Sequence, residues 1–197
     1  LSFAAKRKNN LPGGSRSRTA TKERTMLMSD SWYKVDNVAK VFLATASQRD
    51  PRVFRISCTL NEEIDPDTLN EALRSTAQEW PQFQVTLHRG LFWHYFESTD
   101  QLPTAQPETK APCAPLYTPE RRNKLIYRVT YFGARINLEM FHAITDGNGG
   151  LLYLKSIVRN YLALRHPGEM ENVPSPNSAS AGDMAQDSFR NFYEGTK

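Results

Sequence analysis

"MFHAITDGNGG", residues 140–150, sets a histidine and an aspartate four positions apart at the end of an apolar stretch and follows them with glycines. Reading backwards along "RINLEMFH", Ile136, Leu138, Met140 and His142 fall on one face of a strand, opposite Asn137 and Glu139. That alternation directs His142 to the covered side, at the rim of a core, where an imidazole can meet a substrate hydroxyl. Histidine is the residue type whose ordinary titration range suits a general base near neutral pH. Asp146 stands where a helix should begin and can cap its exposed N–H groups. Gly147, Gly149 and Gly150 each weaken a helical turn by about 1 kcal/mol relative to alanine, a cost that implies the close approach of a ligand or another backbone. Spacing alone leaves two readings open: a base with its scaffold, or a strand-end histidine bonded to a carbonyl beside an ordinary aspartate cap.

On the C-terminal side, "LLYLKSIVRNYLALRHPG" carries Leu151, Leu154, Ile157, Val158, Tyr161 and Leu162 at helical spacing and closes on Pro167-Gly168. On the N-terminal side, "KLIYRVTYFGARINLEMFH" predicts a hairpin turning at Gly133-Ala134. A proline-rich loop, residues 99–119, precedes it, of the kind that wraps a surface or serves a site. "FQVTLHRGLFWHYFE" predicts an earlier hairpin, with Phe83, Val85 and Leu87 alternating before Arg89-Gly90 and an aromatic run after it whose default role is core.

Before that hairpin, Asp65 and Pro66 open an amphipathic helix lined by Leu69, Ala72, Leu73 and Thr76 and ended by Pro81. "VFRISCTL" alternates Phe54, Ile56, Cys58 and Leu60 as a half-buried strand, and Val38, Val41, Phe42 and Thr45 suggest a short helix after Asp36 or Asn37. The order predicts an α+β fold, a two-layer sandwich with a mixed β-sheet and helices on one face.

The 197 residues are 39% hydrophobic and 23% charged, and no apolar run reaches the roughly 20 residues of a membrane-spanning helix. Positive charge concentrates in residues 1–28, where Lys6, Arg7, Lys8, Arg16, Arg18, Lys22 and Arg24 oppose only Glu23, so the remainder is mildly acidic. This front segment reads as a disordered basic stretch or an expression remnant, and a nucleic-acid partner is not expected. Residues 29–168 read as the folded unit, and 169–197 as a Pro-, Ser- and Ala-rich linker. Cys58 and Cys113 form neither a disulfide framework nor a metal site by spacing, His88 and His94 have no metal-ligand spacing, and a reducing cytoplasm is the expected location.

"HAITDG" resembles the HxxxDG signature of the CoA-dependent acyltransferase superfamily, which includes chloramphenicol acetyltransferase, the plant BAHD acyltransferases and the condensation domains of peptide synthetases. "LNEALRSTAQEWPQFQVTLHRGLFWHYFE" is similar to the helix, turn and strand that precede the motif in that superfamily, and the run from "WYKVDNVAKVF" to "LRHPG" looks most like alcohol acetyltransferase-like proteins. The resemblance implies the N-terminal half of a chloramphenicol acetyltransferase-like fold. It implies that His142 is the general base, that Asp146 is a scaffold residue paired with an arginine, with Arg55 as the candidate, and that Gly147 leaves room beside a channel. No bound cofactor is implied; acetyl-CoA or another acyl-CoA would be the donor substrate and a small alcohol or amine the acceptor. Phe141 stands where condensation domains and chloramphenicol acetyltransferase usually carry a second histidine, and the DFGWG-type motif of the plant enzymes is absent. The resemblance further implies a second half, absent from these residues, that supplies much of the donor site, or else self-association through the face meant for it. The alternatives are a non-catalytic assembly module on the same half-fold and a condensation-like domain fed by a carrier protein.

Overall fold

The structure, a computed structural model, describes residues 32–118, 121 and 123–169. The basic front segment and residues 170–197 lie outside the described residues. In chain order the elements are β1 (Trp32–Lys34), α1 (Asn37–Thr45), β2 (Val53–Thr59), α2 (Pro66–Glu79), β3 (Val85–Arg89), β4 (His94–Ser98), β5 (Gln106–Pro107), β6 (Tyr127–Phe132), β7 (Arg135–Phe141) and α3 (Gly147–Arg165). The architecture is α+β.

The alternating stretches pair as their patterns require. Strands run β2-β7-β6-β5 in a four-stranded sheet whose β5 is parallel to β6 and whose other neighbours are antiparallel, so the sheet is mixed. The β6–β7 hairpin turns at Gly133, which adopts φ +54°, a region glycine enters without steric cost. One face of this sheet, with Tyr127 and Val129 from β6 and Ile136, Leu138 and Met140 from β7, packs under α2 and α3.

Helix α2 follows its sequence closely. The Asp65 carboxylate accepts the Thr68 N–H at 2.9 Å, Pro66 occupies the first turn, and Leu69, Ala72, Leu73 and Thr76 are buried. Polar groups lock α2 to α3 within the core: Trp80 Nε1–H donates to Ser156 Oγ at 3.0 Å, and Asn160 Nδ2 donates to Thr76 Oγ1 at 3.0 Å. Both pairs lie in the buried interior, where an unmet polar group would be costly.

Four features depart from the sequence reading. A second sheet exists, β1-β4-β3, all antiparallel, and β1 had no predicted counterpart. Helix α1 buries Ala39, with Phe42, Leu43 and Ala46 against the second core cluster, while Val38 and Val41 are 50% and 60% exposed. Its apolar stripe is therefore rotated by about one residue from the predicted one. The "LFW" of the aromatic run forms the β3–β4 turn, where Leu91, Phe92 and Trp93 are exposed instead of core. Finally, the β7 face opposite the helices does not meet solvent: Asn137 and Glu139 are wholly buried.

The proline-rich loop is what covers that face. Cys113 donates its backbone N–H to Glu139 Oε1 at 2.9 Å, and Ala111 offers its carbonyl to Arg128 Nη2 at 3.2 Å. Beneath it lies a ladder of charge in which Arg55 donates to Glu139 from Nε at 2.8 Å and also to Glu108, Arg128 donates to Glu139, and Arg135 donates to Glu108 at 2.6 Å. Ser57, Asn137 and Thr130 continue the row with neutral hydrogen bonds.

Candidate active site around His142

Strand β7 delivers His142 one residue past its last ladder position. The pairing of Val53 with Phe141 continues as a hydrogen bond from the His142 N–H to the Arg52 carbonyl at 2.8 Å. Arg52 is one of two described non-glycine residues with positive φ, at +56°, so the turn into β2 holds a left-handed conformation directly opposite the histidine.

The imidazole is half-buried and contacts two aromatic rings. The Phe42 ring from α1 lies parallel to it, with centroids 4.4 Å apart and an interplanar angle of 9°. The Phe54 ring from β2, a diagonal cross-strand neighbour, meets it tilted, at 4.8 Å and 53°. His142 Nδ1 is buried and has no hydrogen-bond partner among the described residues. Two aromatic rings therefore contact the imidazole, and among the described residues Nδ1 makes no carbonyl bond.

Asp146 is the N-cap of α3, its carboxylate accepting the Gly149 N–H at 2.8 Å. The implied arginine partner is a correction: Arg55 gives its guanidinium to Glu108 and Glu139, and among the described residues no ion pair is made by Asp146. Reach explains this. Arg55 projects from β2 on the face of Glu139, whereas Phe54, on the opposite face, is the residue that looks toward His142 and α3.

The three glycines separate into different roles. A Cβ on Gly149 would lie 2.0 Å from Thr145 Oγ1, and one on Gly150 would lie 2.8 and 2.9 Å from two atoms of the Phe54 ring. At these two positions the close neighbour is the protein's own side chain. A Cβ on Gly147 would meet nothing within 4 Å. The open space beside the histidine loop is at Gly147.

Sequence reasoning missed Phe42 and Phe54 as neighbours of His142. Phe54 was legible as an inward residue of β2 but its pairing with β7 was not, and Phe42 was assigned only to a helix face. His94 is pushed down in pKa by burial and by Arg89, and among the described residues no group of His, Cys, Asp and Glu could hold a metal. Cys58 and Cys113 are free and half-buried. Among the described residues no helix is long and apolar enough to cross a membrane.

No family model matches the chain, and no curated protein matches it. Solved structures do. The starter condensation domain of rhizomide synthetase RzmA is 14% identical with a TM-score of 0.53, over 68% of this chain and 38% of that one. The epimerization domain from the third module of tyrocidine synthetase B is 12% identical with a TM-score of 0.55, over 74% and 38%. Polyketide synthase associated protein 5 from Mycobacterium tuberculosis is 15% identical with a TM-score of 0.52, over 72% and 35%. A variant of the rhizomide starter domain has been solved in complex with C8-CoA. The chain matches less than two fifths of the length of each of these structures. With an α+β mixed sheet and two helices over one face, the chain has a fold similar to one part of these condensation- and epimerization-domain structures.

Proposed function

We propose that this chain carries the acceptor-activating part of an acyltransferase, with His142 as general base and an acyl-CoA thioester, acetyl-CoA in the simplest case, as donor. In this reaction the unprotonated imidazole nitrogen takes the proton from an acceptor hydroxyl or amine as its oxygen or nitrogen attacks the thioester carbonyl. The tetrahedral intermediate then expels the thiolate, which receives the proton back from the imidazolium. The products are an ester or amide and free thiol. Positioned base catalysis of this kind contributes about 10²- to 10⁴-fold.

The observation that carries the reading is the imidazole itself: half-buried, in contact with two aromatic rings at a strand end, and one loop away from open space at Gly147. The helix-capping bond of Asp146 supports a scaffold role for that residue. Gly147 is assigned as the residue that leaves the channel open. The complement to this fold, a further segment or a second copy, supplies the remaining donor contacts. A second reading, in which a carrier protein presents the thioester, draws support from the condensation-type domains among the structural neighbours.

The test is acyl transfer by the protein, with acetyl-, octanoyl- and longer acyl-CoA against a panel of alcohols and amines, read as free thiol released. His142→Ala should lower turnover by about 10²- to 10⁴-fold at unchanged melting temperature. Transfer by His142→Ala at the parent rate would refute the base assignment. Transfer only from acyl-carrier protein would favour the second reading.

A further inference from the structure

Resting on the assignment of His142 as base, we infer that Phe42, Phe54 and Gly150 form a clamp that positions its imidazole. A base needs its reactive nitrogen fixed, and in most sites a hydrogen bond at the second ring nitrogen does this. Here Nδ1 has no such partner among the described residues. The constraint falls instead to the rings: Phe42 parallel at 4.4 Å and Phe54 tilted at 4.8 Å, geometries within the range of favourable aromatic contact.

Phe54 is itself wedged. Two of its ring atoms lie 2.8 and 2.9 Å from where a Gly150 Cβ would be, so only a glycine in the first turn of α3 lets the ring occupy this position. The order of contact runs from Gly150 of α3 to Phe54 of β2, to His142, to Phe42 of α1. Two elements from early in the chain, α1 and β2, thereby converge on one ring, with α3 packed behind the second. Phe42 and Phe54 act as positioning residues, and Gly150 seats the second of them.

The experiment begins with the 197-residue chain and needs no activity. In proton–carbon spectra, the His142 ring resonances, identified by their loss in His142→Ala, should lie upfield from ring currents. Phe42→Leu, which keeps an apolar side chain without a ring, should abolish much of that shift, and Phe42→Tyr should retain it. Gly150→Ala, acting through Phe54, should move the same resonances. Ring resonances at random-coil positions in the parent, or unmoved by both Phe42→Leu and Gly150→Ala, would overturn the clamp.

In the acyl-transfer assay Phe42→Leu should lower kcat by about 10²-fold with KM for the thioester little changed, as for a misplaced reacting group, and Phe42→Tyr should recover most of the loss. Turnover that depends on His142 but is indifferent to Phe42→Leu would overturn the positioning role. An intact spectral signature in a protein that transfers no acyl group would instead remove the proposed function and leave the clamp as a structural fact.

Discussion

Gly150→Ala and Gly147→Ala make the same chemical change three residues apart in one helical turn, and the surroundings should give them opposite outcomes. Replacing a helical glycine by alanine contributes up to about 1 kcal/mol of intrinsic stability, somewhat less in a first turn. At Gly147 nothing lies within 4 Å of the new methyl, so the gain should be kept and the melting temperature should rise slightly. At Gly150 the methyl would stand 2.8 and 2.9 Å from Phe54 and 3.4 Å from Ile56 Cδ1. The ring cannot swing freely, because the His142 imidazole lies 4.8 Å away from its centroid. Overpacking of this kind costs about 1–3 kcal/mol. Set against the propensity gain, the net loss is between about zero and 2 kcal/mol. Paired urea denaturation curves of the two variants measure the difference directly, with equal slopes confirming that only the native state has changed. A Gly150→Ala variant as stable as Gly147→Ala would refute the reasoning. Activity should invert the order of interest: under the proposed function Gly147→Ala, though stable, should lower acyl transfer by filling the space beside the histidine loop.

Asp146 tests cap against ion pair: Asp146→Asn keeps a good capping residue and should be nearly neutral in thermal unfolding, while Asp146→Ala should cost about 1 kcal/mol. A large loss for the asparagine variant would restore an arginine partner. Glu139→Gln should destabilise by about 3–5 kcal/mol, since it removes the shared counter-charge of two guanidiniums beneath the loop; chemical denaturation showing less than about 1 kcal/mol would show the ladder to be dispensable. Burial alone would raise the Glu139 carboxyl, but the Cys113 N–H and the guanidiniums of Arg55 and Arg128 outweigh it and hold the pKa below the usual range, and Arg55 and Arg135 do the same for Glu108. Groups depressed in the folded state contribute stability above their unfolded pKa, about 4.5, and lose it as the pH falls through the folded value. The unfolding midpoint should therefore be level near neutrality and drop below about pH 4.5, less steeply in Glu139→Gln.

What the sequence disclosed was whatever is decided within a few residues. Asp65 and Pro66 fix the start of α2 by local chemistry, and its buried face follows from 3.6-residue spacing. The strand carrying His142 and the cap at Asp146 are local in the same sense. Glu139 was read as outward because alternation marks a second face without saying what covers it. Its cover is a loop about 26 positions earlier in the chain and its charge partner Arg55 is 84 positions away, a pairing no window reveals. The α1 stripe failed for a related reason: Val38, Val41 and Phe42 satisfy helical spacing as well as Ala39, Phe42 and Leu43 do, and only the tertiary position of Phe42 against His142 chooses between them. Arg55 was the natural partner for Asp146 by place on the first predicted strand, but its position on the polar face assigns it to Glu139.

The long separation of β2 from β7 also sets a timetable for synthesis. Among the described residues strand β2 pairs in its sheet only with β7, and residues 60–134 must be made between them. At about 5–20 residues per second, β2 waits about 4–15 s before its partner strand has been translated. During that interval Phe54 and Ile56 have neither ladder nor helix to cover them, and the nascent chain carries an unpaired apolar strand that a ribosome-bound chaperone would be expected to shield.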